Sequence, residues 1–221
     1  MPLPVIDSYP MPGETDLPEP RVPWSVDPDR AVLLIHDMQH HFLRAYAAAR
    51  PLVADLVGNI ARIRDACHEA GVPVVYSAQP ENQSPTQRGL QLEMWGHGIA
   101  AGDGGIVESL APTADDRFMT KWRYSAFLHT ELGDLLGAWG RDQLVVTGIY
   151  AHIGCQTTAT EAFMRDVQAF LVADAVADFS LEDHLMAVRY VARRAGVATT
   201  TARVVGALDR TASRAVVPDA V

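Results

Sequence analysis

Five apolar residues in a row, Ala31 to Ile35, stand between Arg30 and the polar pair His36-Asp37. An unbroken run of this length predicts a parallel strand covered by helices on both faces. The pattern recurs in VPVVYSAQ, which ends at Gln79, in QLVVTGIY, which ends near Tyr150, and in QAFLVADAVADFS, which begins at Gln168. VATTTARVV, starting at Val197, reads as a last strand before a short tail. Between these runs the period changes. Leu52, Leu56, Ile60 and Ile63 recur at helical spacing within residues 51–70, where Pro51 suits a helix start and Gly71 its stop. Residues 127–139 read as a helix that Gly140 ends, Thr158, Ala162 and Arg165 mark another, and residues 182–196 carry an amphipathic one.

Strands alternating with helices predict an α/β fold, an open and mainly parallel sheet with helices on both faces. There is no internal repeat and no coiled-coil register. Residues 1–221 are expected to form a single domain, with the proline-rich, acidic residues 1–30 as an ordered N-terminal arm. The connection from Pro80 to Asp116 is too long to stay structureless in a compact protein, so it predicts short helices and a pocket wall.

Composition narrows the function classes. A chain of 221 residues that is 48% hydrophobic and 20% charged encloses a sizeable core. Its formal charge of -9, from 27 acidic and 18 basic residues, argues against nonspecific binding to nucleic acid or an anionic membrane. A small anionic substrate stays open, because a few Arg and Lys side chains reverse the potential inside a pocket. The N-terminus lacks a basic leader followed by an apolar signal segment, and no apolar run reaches about 18 residues, so a cytoplasmic protein is expected. Cys67 and Cys155 are too few for a disulfide scaffold or a thiolate metal cluster.

The carboxyl ends of strands are where an open α/β sheet presents polar groups to a ligand. Asp37 is the first candidate there, with capping of a turn or helix as the plain alternative. Gln79 ends the next strand. In the long connection, Arg88 suits a carboxylate and Trp95 suits an apolar ring, unless they form a surface ion pair and a core aromatic. Lys121 follows beside Trp122, Arg123 and Tyr124. The glycine-bearing junction after Tyr150 suits backbone N–H groups turned toward an anion, but it has neither a dinucleotide fingerprint nor a phosphate-loop pattern. His36, His40, His41 and His152 read as local hydrogen-bonding or surface groups, since a metal needs converging ligands. No metal and no cofactor are expected.

LLIHDMQHHF, YSAQP, QRGLQLEMWG, FMTKWRYSAF, GIYAHIGCQTTATEAFMRD and VADAVADFSLEDH occur in this order at separated junctions. Together they make residues 5–205 resemble the isochorismatase branch of the isochorismatase-like, cysteine-hydrolase superfamily. Many amidases of that superfamily use an Asp-Lys-Cys constellation. Asp37 and Lys121 match its first two members, while Gly154 falls at the cysteine position and Cys155 one place later. This departure resembles isochorismatases, which cleave a vinyl ether without a covalent cysteine intermediate. The resemblance implies hydrolysis of isochorismate, a small anionic chorismate-derived substrate, to 2,3-dihydro-2,3-dihydroxybenzoate and pyruvate. It implies Asp37 as proton donor, which requires that it carry a proton in the substrate complex, and Lys121 as its partner. Gln79, Arg88, Trp95, Tyr150 and Gly154 are implied around the substrate, with Gln79 and Tyr150 orienting polar oxygens and Gly154 offering close approach and a backbone donor. Two alternatives remain: hydrolysis of 2-amino-2-deoxyisochorismate in a phenazine-like pathway, and a non-catalytic binding protein on the same fold. A homodimer is implied, as are separate aryl-carrier or pathway enzymes as partners, because residues 206–221 are too short for an appended aryl-carrier domain.

Overall fold

The computed structural model describes residues 4–209. Of the tail expected over 206–221, residues 210–221 lie outside the described residues. Six strands form one all-parallel sheet: β1 (Ala31–His36), β2 (Val74–Ala78), β3 (Arg117–Thr120), β4 (Gln143–Ile149), β5 (Gln168–Ala177) and β6 (Gly196–Thr199), in the order β3-β2-β1-β4-β5-β6. The chain builds outward from β1 to β3 and then returns to lay β4 on the other side of β1. At such a reversal the connections leave in opposite directions and open a crevice at the carboxyl ends of the strands.

Among the described residues, eight α-helices accompany the sheet: α1 (His40–Leu43), α2 (Arg50–Ala70), α3 (Pro85–Arg88), α4 (Gln91–Trp95), α5 (Leu132–Ala138), α6 (Gln156–Met164), α7 (Leu181–Arg194) and α8 (Thr201–Leu208). The period of two along β1 distributes its side chains between two cores. Leu33 and Ile35 pack with Leu56 and Ile60 of α2 and Val204 of α8, whereas Val32 and Leu34 pack with Leu136 of α5, Ala159 of α6 and Val188 of α7. Because both faces are covered, β1 is apolar at every position up to His36. Gly71, at φ 71°, closes α2 in the left-handed conformation, and the Val72 N–H reaches back 2.8 Å to the Cys67 carbonyl. The described part of the arm packs down: Ile6 is fully buried and its N–H donates to the Ala45 carbonyl at 2.8 Å.

Three elements depart from the sequence reading. Arg117–Thr120 is an edge strand, unpredicted because only Met119 of its four residues is buried, which leaves no apolar run to read. The helix expected over 127–139 is confined to Leu132–Ala138. Ahead of it, side chains satisfy backbone donors that a helix would have used: Ala126 N–H donates to Thr158 Oγ1 at 2.9 Å and Phe127 N–H to Ser125 Oγ at 3.1 Å. The last strand stops at Thr199, because Thr200 caps α8 by accepting the Arg203 N–H, and α8 buries Val204 and Leu208.

Candidate active site

Five strand ends, those of β1 to β5, converge on one cavity of about 520 Å³. Asp37 stands one residue beyond β1 with φ 51°, a left-handed conformation that Asp tolerates better than most residues. Its N–H still continues the sheet ladder, donating to the Ser77 carbonyl at 3.0 Å. The Ser77 hydroxyl donates to Oδ1 at 2.9 Å, while Lys121 Nζ lies 2.9 Å and Gln79 Nε2 3.4 Å from Oδ2. Lys121 and Gln79 line the cavity and Ser77 does not, so Oδ2 is the oxygen turned toward the cavity. The end of β3 places the lysine: its N–H donates to the Ala78 carbonyl at 2.8 Å, and Nζ also donates to the Arg123 carbonyl at 2.6 Å. Both members of the Asp37–Lys121 pair are buried, where Coulombic attraction is strong but loss of one partner leaves a costly isolated charge.

Arg88 closes another side. It is 5% exposed, yet its hydrogen bonds go to neutral oxygens: Nη1 donates to Gln79 Oε1 at 3.0 Å and Nε to the Gly96 carbonyl at 2.9 Å. Among the described residues no carboxylate forms an ion pair with it. Burial draws its pKa down from the ordinary value, although a guanidinium remains charged across the biological range. A buried cation that faces a cavity and has no ion-pair partner among the described residues has donors that suit an anion. Gln79 bridges Arg88 to Asp37 through its two amide atoms.

Aromatic rings form the opposite wall. Tyr150 and Phe179 pack with ring centroids 4.5 Å apart, and Trp95 donates its indole N–H to the Tyr124 hydroxyl at 2.6 Å. Two implied roles need correction here. The Tyr150 hydroxyl donates to the Phe42 carbonyl at 3.0 Å, so its proton is engaged and the residue offers the cavity its ring. The Gly154 N–H donates to the Tyr150 carbonyl at 3.1 Å, together with the N–H groups of Ile153 and Cys155, because residues Ala151–Cys155 form a π-turn. The junction after Tyr150 therefore directs these donors into its own turn and not toward an anion. Gly154 still lines the cavity, as do Asp37, Gln79, Arg88, Trp95, Lys121 and Tyr150.

Cys155 is fully buried in the apolar layer, with Sγ 3.9 Å from the Thr147 carbonyl oxygen, and does not line the cavity. Burial pushes its thiol pKa well above the ordinary value. Cys155→Ala should therefore keep most of the turnover, and iodoacetamide should leave Cys155 unmodified in the folded wild-type protein. Mass spectrometry and steady-state rates check both, and loss of turnover with a substrate adduct on sulfur would contradict them.

The histidines separate. His36 and His41 line the cavity, while His40 pairs with Glu108 at 3.2 Å. His152 joins Asp178 and Asp183, and ligand atoms of the three lie within 4.8 Å of one another. Asp178 already accepts the His152 N–H on Oδ2 at 2.6 Å, and its Oδ1 meets His152 Nδ1 at 2.6 Å and the Phe179 N–H at 2.8 Å. That bond to Asp178 raises the His152 pKa against the opposing effect of burial. The folded value thus exceeds the unfolded one, so the stabilisation is fully present below about pH 6.5 and disappears as pH rises through the folded pKa. In urea titrations across pH, His152→Gln should remove this part of the pH dependence. An NMR titration placing wild-type His152 at or below the ordinary value would contradict it.

Sequence reasoning passed over Ser77 and Phe179. Ser77 is a polar residue in a run that is otherwise apolar, and Phe179 follows the end of β5, where the carboxyl-end rule points as well. Tyr124 and Phe42 line the cavity as well.

The Isochorismatase domain family model matches residues 31–203. The isochorismatase of Bacillus subtilis is 50% identical over 203 residues, which cover 91% of this chain and 65% of that protein. The chain thus spans just under two thirds of that relative. Phenazine biosynthesis protein PhzD1 of Pseudomonas aeruginosa is 48% identical over 201 residues, covering 90% of this chain and 96% of that protein. Among solved structures, a cysteine hydrolase from Pseudomonas syringae pv. phaseolicola superposes with a TM-score of 0.79 at 26% identity, covering 86% of this chain and 98% of that one.

Proposed function

The chain belongs to the isochorismatase family, and from that premise we propose that it hydrolyses the vinyl ether of isochorismate, giving 2,3-dihydro-2,3-dihydroxybenzoate and pyruvate. The observation that carries the proposal is the cavity's pairing of one carboxyl group with two buried cations. Lys121 sits 2.9 Å from Asp37, while Arg88 is buried without an anion. Isochorismate brings two carboxylates and an apolar diene ring. Arg88 would take one carboxylate through its donor fork, and the rings of Trp95, Tyr150 and Phe179 would cover the diene.

The chemistry needs a proton on the methylene carbon of the enolpyruvyl group. The Asp37 carboxyl is the donor in this proposal, with Oδ2 toward the cavity and the Ser77 hydroxyl holding the far oxygen. Transfer of that proton turns the methylene into a methyl and leaves an oxocarbenium ion. Water adds to the oxocarbenium carbon and gives one proton to the Asp37 carboxylate; the resulting hemiketal then collapses to the ketone of pyruvate by breaking its bond to the ether oxygen, which takes up the proton released by the hemiketal hydroxyl and stays on the ring as a hydroxyl. Lys121 stabilises the carboxylate that remains after transfer.

Substitution of an amine for one ring hydroxyl leaves the ether unchanged, so 2-amino-2-deoxyisochorismate is the second reading, supported by the 48% identity to the phenazine biosynthesis protein. Both substrates should be assayed in parallel for pyruvate, with mass analysis of the ring product. Release from neither would overturn the proposal. The convergence of five strand ends of one sheet supports a single catalytic domain. A homodimer belongs to the same proposal and is checked by sedimentation at several concentrations. Among the described residues no helix is long and apolar enough to cross a membrane.

A further inference from the structure

Gly154 has no room for a side chain, and one residue is the obstacle. A Cβ built there would stand 2.2 Å from Cε1 of His36, 2.7 Å from Nε2 and 3.1 Å from Nδ1. The backbone at Gly154 does not have a positive φ, so its conformation alone would accept an L side chain. The imidazole cannot swing aside. It is 1% exposed, with Nδ1 2.9 Å from the Ile149 carbonyl oxygen and Nε2 3.3 Å from that of Tyr124, so the one N–H of the neutral ring donates to one of these carbonyls and the backbone of the other segment closes its opposite edge. The main chain of His36 is equally enclosed. A Cβ on Gly148, its partner in β4, would stand 2.1 Å from the His36 carbonyl oxygen. One glycine accommodates the backbone of this histidine and another its ring.

His36 also lies at the chemistry, with Nδ1 3.8 Å from Asp37 Oδ2. We infer that His36 decides which reaction class the cavity supports: its ring takes the volume that a nucleophilic side chain on residue 154 would need, beside Asp37 and Lys121. A thiol in that position would give its proton to the Asp37 carboxylate, attack an acyl carbonyl, expel the leaving group as its anion and form a thioester, which water would then cleave to the acid and the free thiol. With His36 in place such a side chain has no seat, and the thiol of Cys155 points into the apolar layer instead. His36 thereby leaves the cavity to proton transfer. This inference builds on the proposed reaction but is tested without it.

The clash occurs at Cβ, so Gly154→Ala is sufficient for a double-mutant cycle with His36→Ala, read by thermal unfolding. Gly154→Ala alone should lower Tm by about 2–12 °C, the range expected for overpacking in a protein of this size. In the His36→Ala background the same change should cost much less, whereas equal losses in the two backgrounds would overturn the inference. A second arm exposes Gly154→Cys, with and without His36→Ala, to p-nitrophenyl acetate and follows intact mass. An acetyl group should appear on the introduced thiol in the double variant and not in Gly154→Cys alone. Acetylation that does not depend on His36 would overturn the inference. If His36→Ala prevents folding, His36→Val keeps a strand-forming residue in β1 and carries both arms. Neither readout involves ether cleavage, so failure of the proposed reaction is distinguishable from failure here.

Discussion

Asp37→Asn is expected to slow single-turnover pyruvate formation by about 10²–10⁴-fold, the usual contribution of a positioned general acid. Substrate affinity should change far less. The amide preserves the shape of the side chain and an acceptor for Ser77 or Lys121, but it has no acidic proton to transfer. The substitution also leaves Lys121 without its buried counter-charge, so some loss of stability is expected when substrate is absent. Unfolding curves must accompany the rates, and single turnover at matched occupancy separates chemistry from binding. Wild-type turnover by a folded Asp37→Asn protein would remove Asp37 from the acid role. Lys121→Ala is a poorer comparison, because it removes a substrate-facing cation and the partner of the acid together.

Arg88→Met is expected to weaken substrate binding by at least about 30-fold, the lower end for removing a buried charge from an ionic contact. The chemical step in bound substrate should suffer less. The unliganded protein should respond in the opposite sense. Arg88 is buried among neutral oxygens, so an apolar side chain of similar length relieves an uncompensated charge and should leave Tm unchanged or raise it. Equilibrium binding of an unreactive dicarboxylate analogue and thermal unfolding measure the two effects. Unchanged affinity would show that Arg88 does not receive a substrate carboxylate.

The skeleton of the site was readable because both cores leave the same mark on the strands. Ala31–Ile35 and Leu144–Val146 are apolar at successive positions because each faces helices on both sides, and the polar residues that interrupt such runs fall at carboxyl ends. Asp37 and Gln79 could be placed on this ground alone. Lys121 could not, since β3 is an exposed edge strand with no apolar run; the motif resemblance brought it in. Hydrogen-bond direction was least legible. Tyr150 and Gly154 line the cavity as expected, but both protons are engaged by backbone carbonyls, the glycine N–H within the π-turn and the tyrosine hydroxyl across to Phe42 of α1, and residue type announces neither. The tie between Gly154 and His36 was hidden as well, because it joins residues far apart in the chain through space that the imidazole occupies only while residue 154 lacks a Cβ.

Labelled solvent tests the central claim, proton delivery to the enolpyruvyl methylene followed by water attack on the adjacent carbon, most directly. The wild-type protein would convert isochorismate in deuterium oxide and, separately, in ¹⁸O-water, with prompt quenching and mass analysis of both products. One solvent deuterium in the pyruvate methyl group, with no ¹⁸O in the hydroxyls of the ring product, is the predicted result. Incorporation of ¹⁸O into a ring hydroxyl, or pyruvate whose methyl group carries no solvent deuterium, would place bond cleavage elsewhere and contradict the account.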